Sequence, residues 1–134
     1  MPEVIVYGQG DASFQAAGGY DGIKQLVDDF YQAMDTLPQA AEVRAMYPPD
    51  LEIPADKLTR FLCGWLGGPK LYREKYGSIT IPSFHRQFPI DAGSRDAWLA
   101  CMQAAVDKQP YDPAFKHYLM KQLYVPAERS RNLP

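Results

Sequence analysis

Apolar residues recur at helical spacing along four stretches of this chain. In the first stretch they fall three and four positions apart, while acidic residues occupy the opposite side, which is typical of an amphipathic helix packed on a core. The four predicted long helices cover residues 21–36, 54–66, 94–109 and 113–125. The sequence contains neither strand–helix alternation nor an internal repeat, so the pattern predicts an all-α fold.

Glycine, proline and capping residues mark the predicted helix ends. Asp11 is expected to cap a short helix that a Gly18-Gly19 pair ends, and Pro54 is expected to open the second long helix. The fourth long helix is expected to end before Pro126, because proline lacks the backbone N–H donor that a continuing helix needs.

Further boundaries follow from the same signals. A brief helix is predicted from Pro38 to about Met46, and Asp91 or Ser94 is expected to cap the third long helix. Residues 68–82 show no sustained period and are predicted to form a loop. The polar residues near the start of the second long helix are expected to face water: Asp56, Lys57 and Arg60.

Length and composition predict one globular domain. The 134 residues, 46% of them hydrophobic, suit a single domain over residues 1–134, with an extended arm at 1–12 and a frayed tail at 126–134. A net charge of -2 argues against nucleic acid or an anionic membrane as partners. With no membrane-span or signal pattern in the sequence, we expect a cytoplasmic protein.

Cysteine and aromatic residues indicate what the core contains. Cys63 and Cys101 lie inside apolar helical patterns without metal-binding spacing, so both are predicted to be buried free thiols. Nine Tyr, six Phe and two Trp suit either a core wrapped around a flat apolar group or an aromatic core without a ligand.

The first candidate for chemistry is His85, which has Phe84 and Phe88 as apolar neighbours. Pro82 and Pro89 bracket this segment and allow only a short helical turn. Such an imidazole could serve as an axial ligand to an iron porphyrin, or it could be a packed, hydrogen-bonded core histidine. The other histidine of the chain, His117, is expected to lie on the surface.

The second candidate is a set of polar aromatic residues on apolar faces. Tyr31, Tyr47 and Trp98 each carry one hydrogen-bond donor that a buried setting must satisfy. They could bind a small polar ligand together, or their donors could meet backbone carbonyls. The usual phosphate-loop, zinc-protease and serine-hydrolase signatures are absent from the sequence.

Six separate pieces of the chain, spread from about Phe14 to Leu123, carry a family resemblance. They are Gly18-Gly19, Phe30-Tyr31, Met46-Tyr47-Pro48-x-Asp50-Leu51, Trp65-Leu66-Gly67-Gly68-Pro69-x-x-Tyr72, His85-x-x-Phe88-x-Ile90 and Arg95-Asp96-Ala97-Trp98-Leu99-x-Cys101-Met102. In this order and spacing the chain resembles the bacterial group II truncated haemoglobins. The resemblance implies a two-over-two helical sandwich around haem b, iron protoporphyrin IX.

Residue roles are implied by the resemblance in the same way. His85 would be the proximal iron ligand, and the distal ligand-binding residues would be Tyr31, Tyr47 and Trp98. The haem pocket would be lined by Phe30, Leu58, Phe61, Leu62, Phe88, Ile90 and Met102. The haem propionates would meet Lys57, Lys70, Tyr72 and Arg86.

Two departures from the family pattern affect these expectations. The position of a globin's distal histidine falls at or next to Pro54, so no imidazole from that helix would contact the bound gas. Phe84 stands where many relatives carry an arginine, which leaves the propionate partners less defined, with Arg86 as a substitute.

The implied function is binding of dioxygen and other diatomic gases, with slow oxygen release because several donors hold a partly negative ligand. The protein could use the bound gas for oxygen transport, or for redox chemistry such as nitric oxide dioxygenation or peroxide reduction. As an enzyme, the protein would be a haem-dependent oxidoreductase served by a separate reductase. A haem-based gas sensor and a haem-free helical interaction domain are the alternatives, and the oligomeric state stays open.

Overall fold

The computed structural model describes residues 7–77 and 91–130, with side chains up to residue 128. All regular structure in these ranges is helical, which confirms the predicted all-α class. The helices in chain order are α1 (Ala12–Ala16), α2 (Gly19–Thr36), α3 (Ala41–Ala45), α4 (Glu52–Trp65), α5 (Leu71–Tyr76), α6 (Ala92–Asp107) and α7 (Pro113–Ser130). A 3-10 turn, Pro38–Ala40, leads into α3 as the predicted brief helix. None of the helices in these ranges is long and apolar enough to cross a bilayer.

The corner between α1 and α2 depends on glycine. Gly18 and Gly19 have φ angles of +88° and +68°, a region that residues with side chains rarely adopt. A Cβ atom at Gly22 would lie 2.1 Å from the carbonyl oxygen of Ala17, so only glycine allows this close approach. The predicted amphipathic helix is confirmed, and it begins at Gly19 rather than at Asp21.

Two pairs of helices form the body of the described structure. Helix α2 packs against both α4 and α6, and α6 packs against α7. The pair α2/α4 therefore meets the pair α6/α7 mainly through the contact between α2 and α6. This is the predicted two-over-two arrangement.

The four long helices share one hydrophobic core. Its largest fully buried side chains are Ile23, Leu26, Val27, Phe30, Met34, Leu62, Cys63, Met102, Val106, Phe115, Leu119 and Leu123. Each such side chain contributes roughly 1.5–3 kcal/mol by leaving water. Cys63 and Cys101 are both buried and free, as predicted, and burial raises the pKa of each thiol.

The predicted loop over residues 68–82 is wrong in part, because Leu71–Tyr76 forms the short helix α5. This helix contains no buried residue. Its sequence therefore shows no core-facing stripe, which is the signal that identifies a helix from sequence. The helix packs mainly against α4.

The predicted end of the last helix is also wrong. Helix α7 continues through Pro126 to Ser130, where the sequence predicted a frayed tail from residue 126. Arg95 of α6 donates a hydrogen bond to the carboxylate of Glu128 at 2.5 Å, and its guanidinium lies 5.3 Å from the Tyr124 ring. These contacts between α6 and α7 hold the last turns in place and offset the hydrogen bond that proline removes.

Helix α4 begins two residues earlier than predicted. The backbone N–H of Glu52 donates to the Asp50 carboxylate at 2.9 Å and so starts the helix ahead of Pro54. Pro54 then occupies the first turn, where a backbone N–H has no partner within the helix in any case.

The two predicted aspartate caps differ in outcome. Asp91 accepts a hydrogen bond from the backbone N–H of Ser94 at 2.8 Å, which confirms it as the cap of α6. Asp11 precedes α1, but its carboxylate accepts from the side-chain amide of Gln15 at 3.1 Å and caps no backbone group.

Candidate functional site

Polar aromatic residues from three parts of the chain meet at one place. The ring centroid of Phe30 lies 4.9 Å from that of Tyr31 and 5.0 Å from that of Trp98. The Tyr31 and Tyr47 rings meet edge to face with centroids 5.6 Å apart. The structure thus brings together the three side chains expected to act as distal donors, around the buried ring of Phe30.

Arg44 fixes the corner that carries Tyr47. Its guanidinium donates to the Asp35 carboxylate of α2 at 2.5 Å, and to the carbonyl oxygens of Pro48 and Pro49 at 3.0 and 3.1 Å. It therefore holds both sides of the turn that contains Tyr47. Arg44 was not among the predicted site residues, because its partner Asp35 lies on another helix and no sequence pattern joins the two.

The two phenols stay protonated at neutral pH. Burial raises the pKa of Tyr31, and the neighbouring Tyr47 hydroxyl raises it further. Burial also raises the pKa of Tyr47, and the neighbouring donors of Trp98 and Tyr31 partly oppose this rise. Both phenols can therefore act as hydrogen-bond donors at neutral pH.

Helix α4, which packs against α2, carries three of the apolar residues predicted for the pocket. Leu62 is buried in the core, whereas Leu58 and Phe61 are only partly buried. The Phe61 ring stacks on Trp65 with a centroid distance of 6.3 Å and an angle of 21° between the planes. Trp65 was missing from the predicted pocket residues, although its helical spacing from Phe61 and Leu62 placed it on the same face. Met102, also predicted for the pocket, is fully buried on α6.

The side chains predicted to meet the haem propionates separate into two places. The Lys57 ammonium lies 5.3 Å from the centre of the Tyr76 ring, and the Tyr72 ring lies 5.1 Å from the same ring. Lys70 instead donates to the carbonyl oxygen of Gly64 at 3.3 Å. The structure thus brings Lys57 and Tyr72 together at Tyr76 and places Lys70 beside the end of α4.

Asp56 and Arg60 do not simply face water, contrary to the prediction. The Asp56 carboxylate accepts from Arg60 at 3.0 Å, from Lys75 at 2.9 Å and from the Tyr76 hydroxyl at 2.6 Å. Burial raises the pKa of Asp56, but hydrogen bonds from Lys75, Tyr76 and Arg60 outweigh it and lower the pKa from 3.8 to about 2. No sequence signal pointed to this cluster, because its members belong to two helices.

Part of the predicted site lies outside the described residues. This applies to His85, Arg86, Phe88 and Ile90, and also to Phe84. His117 lies on α7 and is exposed, as predicted.

The described residues fit the distal side of a haem pocket. An apolar face with partly uncovered Leu58 and Phe61 suits a flat hydrophobic group, and the neighbouring phenols and indole supply hydrogen-bond donors. Such donors, held in a largely apolar setting, are suited to a small ligand with partial negative charge.

Comparison with known proteins establishes the class. The family model described as bacterial-like globin matches residues 12–128. Group 2 truncated hemoglobin YjbI of Bacillus subtilis (strain 168) is 34% identical over 122 residues, which is 91% of this chain and 89% of that protein. The chain therefore belongs to the bacterial-like globin family, whose members bind ligands through haem.

Solved structures show which subgroup of this family the chain resembles, the group II 2-on-2 hemoglobins. The group II 2-on-2 hemoglobin of the plant pathogen Agrobacterium tumefaciens is 32% identical, with a TM-score of 0.86 and 98% of each chain covered. The truncated oxygen-avid haemoglobin of Bacillus subtilis is 33% identical, with a TM-score of 0.80 over 90% of this chain and 98% of that chain. The match over nearly the whole chain agrees with the two-over-two packing described above.

Proposed function

We propose that this protein binds dioxygen and other diatomic gases at haem b, with His85 as the proximal iron ligand and slow release of oxygen. The observation that carries the proposal is the set of ring contacts that brings Tyr31, Tyr47 and Trp98 together through the buried ring of Phe30. The haem, when bound, would supply the iron centre at which diatomic gases bind.

The chain's own residues would discriminate among gases. The hydroxyls of Tyr31 and Tyr47 and the indole N–H of Trp98 can donate to a ligand that carries partial negative charge, as dioxygen does on ferrous haem. Carbon monoxide carries little such charge and gains less from the same donors. Leu58, Phe61 and Leu62 would exclude water and so strengthen each hydrogen bond. The oxygen-avid character named for the Bacillus subtilis relative supports this expectation.

The proposal extends to the use of the bound gas. Oxygen transport would require only binding and release, whereas nitric oxide dioxygenation or peroxide reduction would require electrons from a separate reductase. Tyr31 and Tyr47 would contribute to the redox uses as donors that are still protonated at neutral pH. A cytoplasmic location stays a prediction from the sequence.

An absorption spectrum of the purified protein tests the haem assignment. Protein expressed with a porphyrin supply should show the strong band of bound haem near the blue edge of the visible range. The variant His85→Ala should lose or shift this band, and His117→Ala, which changes the exposed histidine of α7, should leave it unchanged. A colourless wild-type protein would refute the haem assignment. An unchanged spectrum in His85→Ala would refute the proximal ligand.

A further inference from the structure

The short helix α5 is attached to the protein by polar contacts rather than by burial. None of its residues is buried, and in the described ranges it packs mainly against α4. Only Leu71, at its first position, packs against the core as a partly buried apolar residue. The position of the far end of α5 must therefore depend on other contacts.

Asp56 supplies those contacts at the far end of α5. Its carboxylate accepts from Lys75 and Tyr76, the last two residues of α5, and from Arg60 one turn further along α4. The side chain of Asp56 is only 24% exposed, so water competes weakly for its oxygens. One carboxylate thus joins the end of α5 to α4, and we call Asp56, Arg60, Lys75 and Tyr76 the Asp56 cluster.

Tyr76 connects the Asp56 cluster to the side chains expected to meet the haem propionates. Its hydroxyl donates to Asp56, the Lys57 ammonium lies over its ring, and Tyr72 packs beside it. Gly77 then ends the helix with φ +85°, and His85 follows eight positions later in the sequence. A shift of the end of α5 would therefore move Tyr76 and its neighbours together.

From this arrangement we infer that Asp56 is a positioning residue for haem retention, which rests on the proposed haem binding: it docks α5 on α4, and loss of this docking speeds haem release. The groups that face the Asp56 carboxylate are Arg60, Lys75 and the Tyr76 hydroxyl, with the Lys57 ammonium above the Tyr76 ring. Asp56 contacts neither iron nor gas in this role and acts through Tyr76.

The test measures haem transfer from the haem-loaded protein to an excess of apomyoglobin. Asp56→Asn keeps the shape of the side chain but removes its charge, and it should speed haem transfer by about fivefold. Asp56→Glu, which keeps the charge, should bring the rate of haem transfer part of the way back to the wild-type value. The matched control is Asp28→Asn, which removes an exposed carboxylate paired with Lys24 on α2 and should leave the rate unchanged.

Limited trypsin digestion provides a readout that does not depend on haem chemistry. Cleavage after Arg73 and Lys75, both exposed on α5, should become faster in Asp56→Asn, while cleavage after Lys24 and Arg44 should keep the wild-type rate. Faster cleavage at all four sites would mean a general loss of stability and would overturn the docking role.

The outcomes separate the two proposals. A wild-type protein that carries no haem refutes the proposed function. A wild-type protein that carries haem, together with Asp56→Asn that releases it at the wild-type rate, refutes the positioning role of Asp56 and leaves the proposed function in place.

Discussion

At the residue scale, the Tyr47 hydroxyl stands at the centre of the proposed gas site. The Tyr31 ring packs edge to face on the Tyr47 ring, and burial raises the pKa of Tyr47, an effect that the neighbouring donors of Trp98 and Tyr31 only partly oppose. A donor oriented in advance costs little reorganisation when a ligand arrives. Because ring contacts connect the three side chains through Phe30, removal of any one of them changes the surroundings of the other two.

Single-donor variants test this group. Tyr31→Phe, Tyr47→Phe and Trp98→Phe should each release oxygen about tenfold faster, because one good hydrogen bond is lost at a cost of ~1.4 kcal/mol. Stopped-flow oxygen dissociation measures the rates. Tyr111→Phe is the matched control, since this hydroxyl donates to the Ala17 carbonyl oxygen at 3.2 Å, away from the site. Wild-type rates in all three distal variants would show that the donors do not reach the gas.

At the element scale, contacts between helices decide where the site residues lie. Arg44 ties the corner after α3 to α2, the Asp56 cluster ties α5 to α4, and Arg95 ties the end of α7 to α6. In each case one charged side chain orders a short or terminal piece of chain that has little buried surface of its own. Such pieces would otherwise open locally at low cost in free energy.

The Arg44 contact predicts a change in both stability and ligand release. Arg44→Met removes the ion pair to Asp35 and two hydrogen bonds to backbone carbonyls, and should lower the free energy of unfolding by about 1–2 kcal/mol. Oxygen release should also become faster, by less than in Tyr47→Phe, because Tyr47 remains but is held less firmly. Urea unfolding and oxygen dissociation measure the two effects.

Lys24→Met is the control for Arg44→Met, because it removes only an exposed pair with Asp28. It should change the free energy of unfolding by no more than a few tenths of a kcal/mol, and it should leave the oxygen dissociation rate unchanged. Lower stability of Arg44→Met with a wild-type oxygen rate would contradict a role for Arg44 in holding Tyr47.

At the scale of the whole molecule, acid stability reflects the carboxylates that accept hydrogen bonds in the folded state. The pKa of Asp56 is about 2 in the folded protein, below its ordinary 3.8. A carboxyl with a lowered pKa adds stability above its ordinary pKa, and this stability is lost as pH falls toward the folded value. The contribution of Asp56 should therefore be complete above about pH 5 and should decline from about pH 4 to pH 2.

Unfolding measured against pH tests this expectation. Asp56→Asn should lower the free energy of unfolding by about 1 kcal/mol at pH 6, a value reduced from the full pKa shift because the site is partly exposed to solvent. The difference between wild type and variant should shrink toward zero near pH 2. Asp28→Asn, which removes an exposed carboxylate, is the control. A difference between wild type and Asp56→Asn that is constant from pH 6 to pH 2 would contradict the assigned pKa.

The sequence by itself determined where the four long helices lie, which of their faces are apolar and which residues could take part in chemistry. Periodicity identified α2, α4, α6 and α7, because burial of one helix face imposes a spacing of three and four residues. Their polar aromatic character on apolar faces identified Tyr31, Tyr47 and Trp98 as one set, the family resemblance implied their distal role, and the structure brings them together through Phe30. The roles of these residues and of His85 stay predictions.

Only the tertiary structure decided how the short and terminal elements are held. Asp56 and Tyr76 are 20 positions apart in the chain, and Gln109 reaches Asp29 across 80 positions at 2.6 Å. Periodicity reports which side of a helix meets the core, but the partner of a charged side chain depends on how two helices cross. For that reason α5, the extension of α7 and the Arg44 corner could not be predicted from the sequence, since each depends on a contact between separate elements.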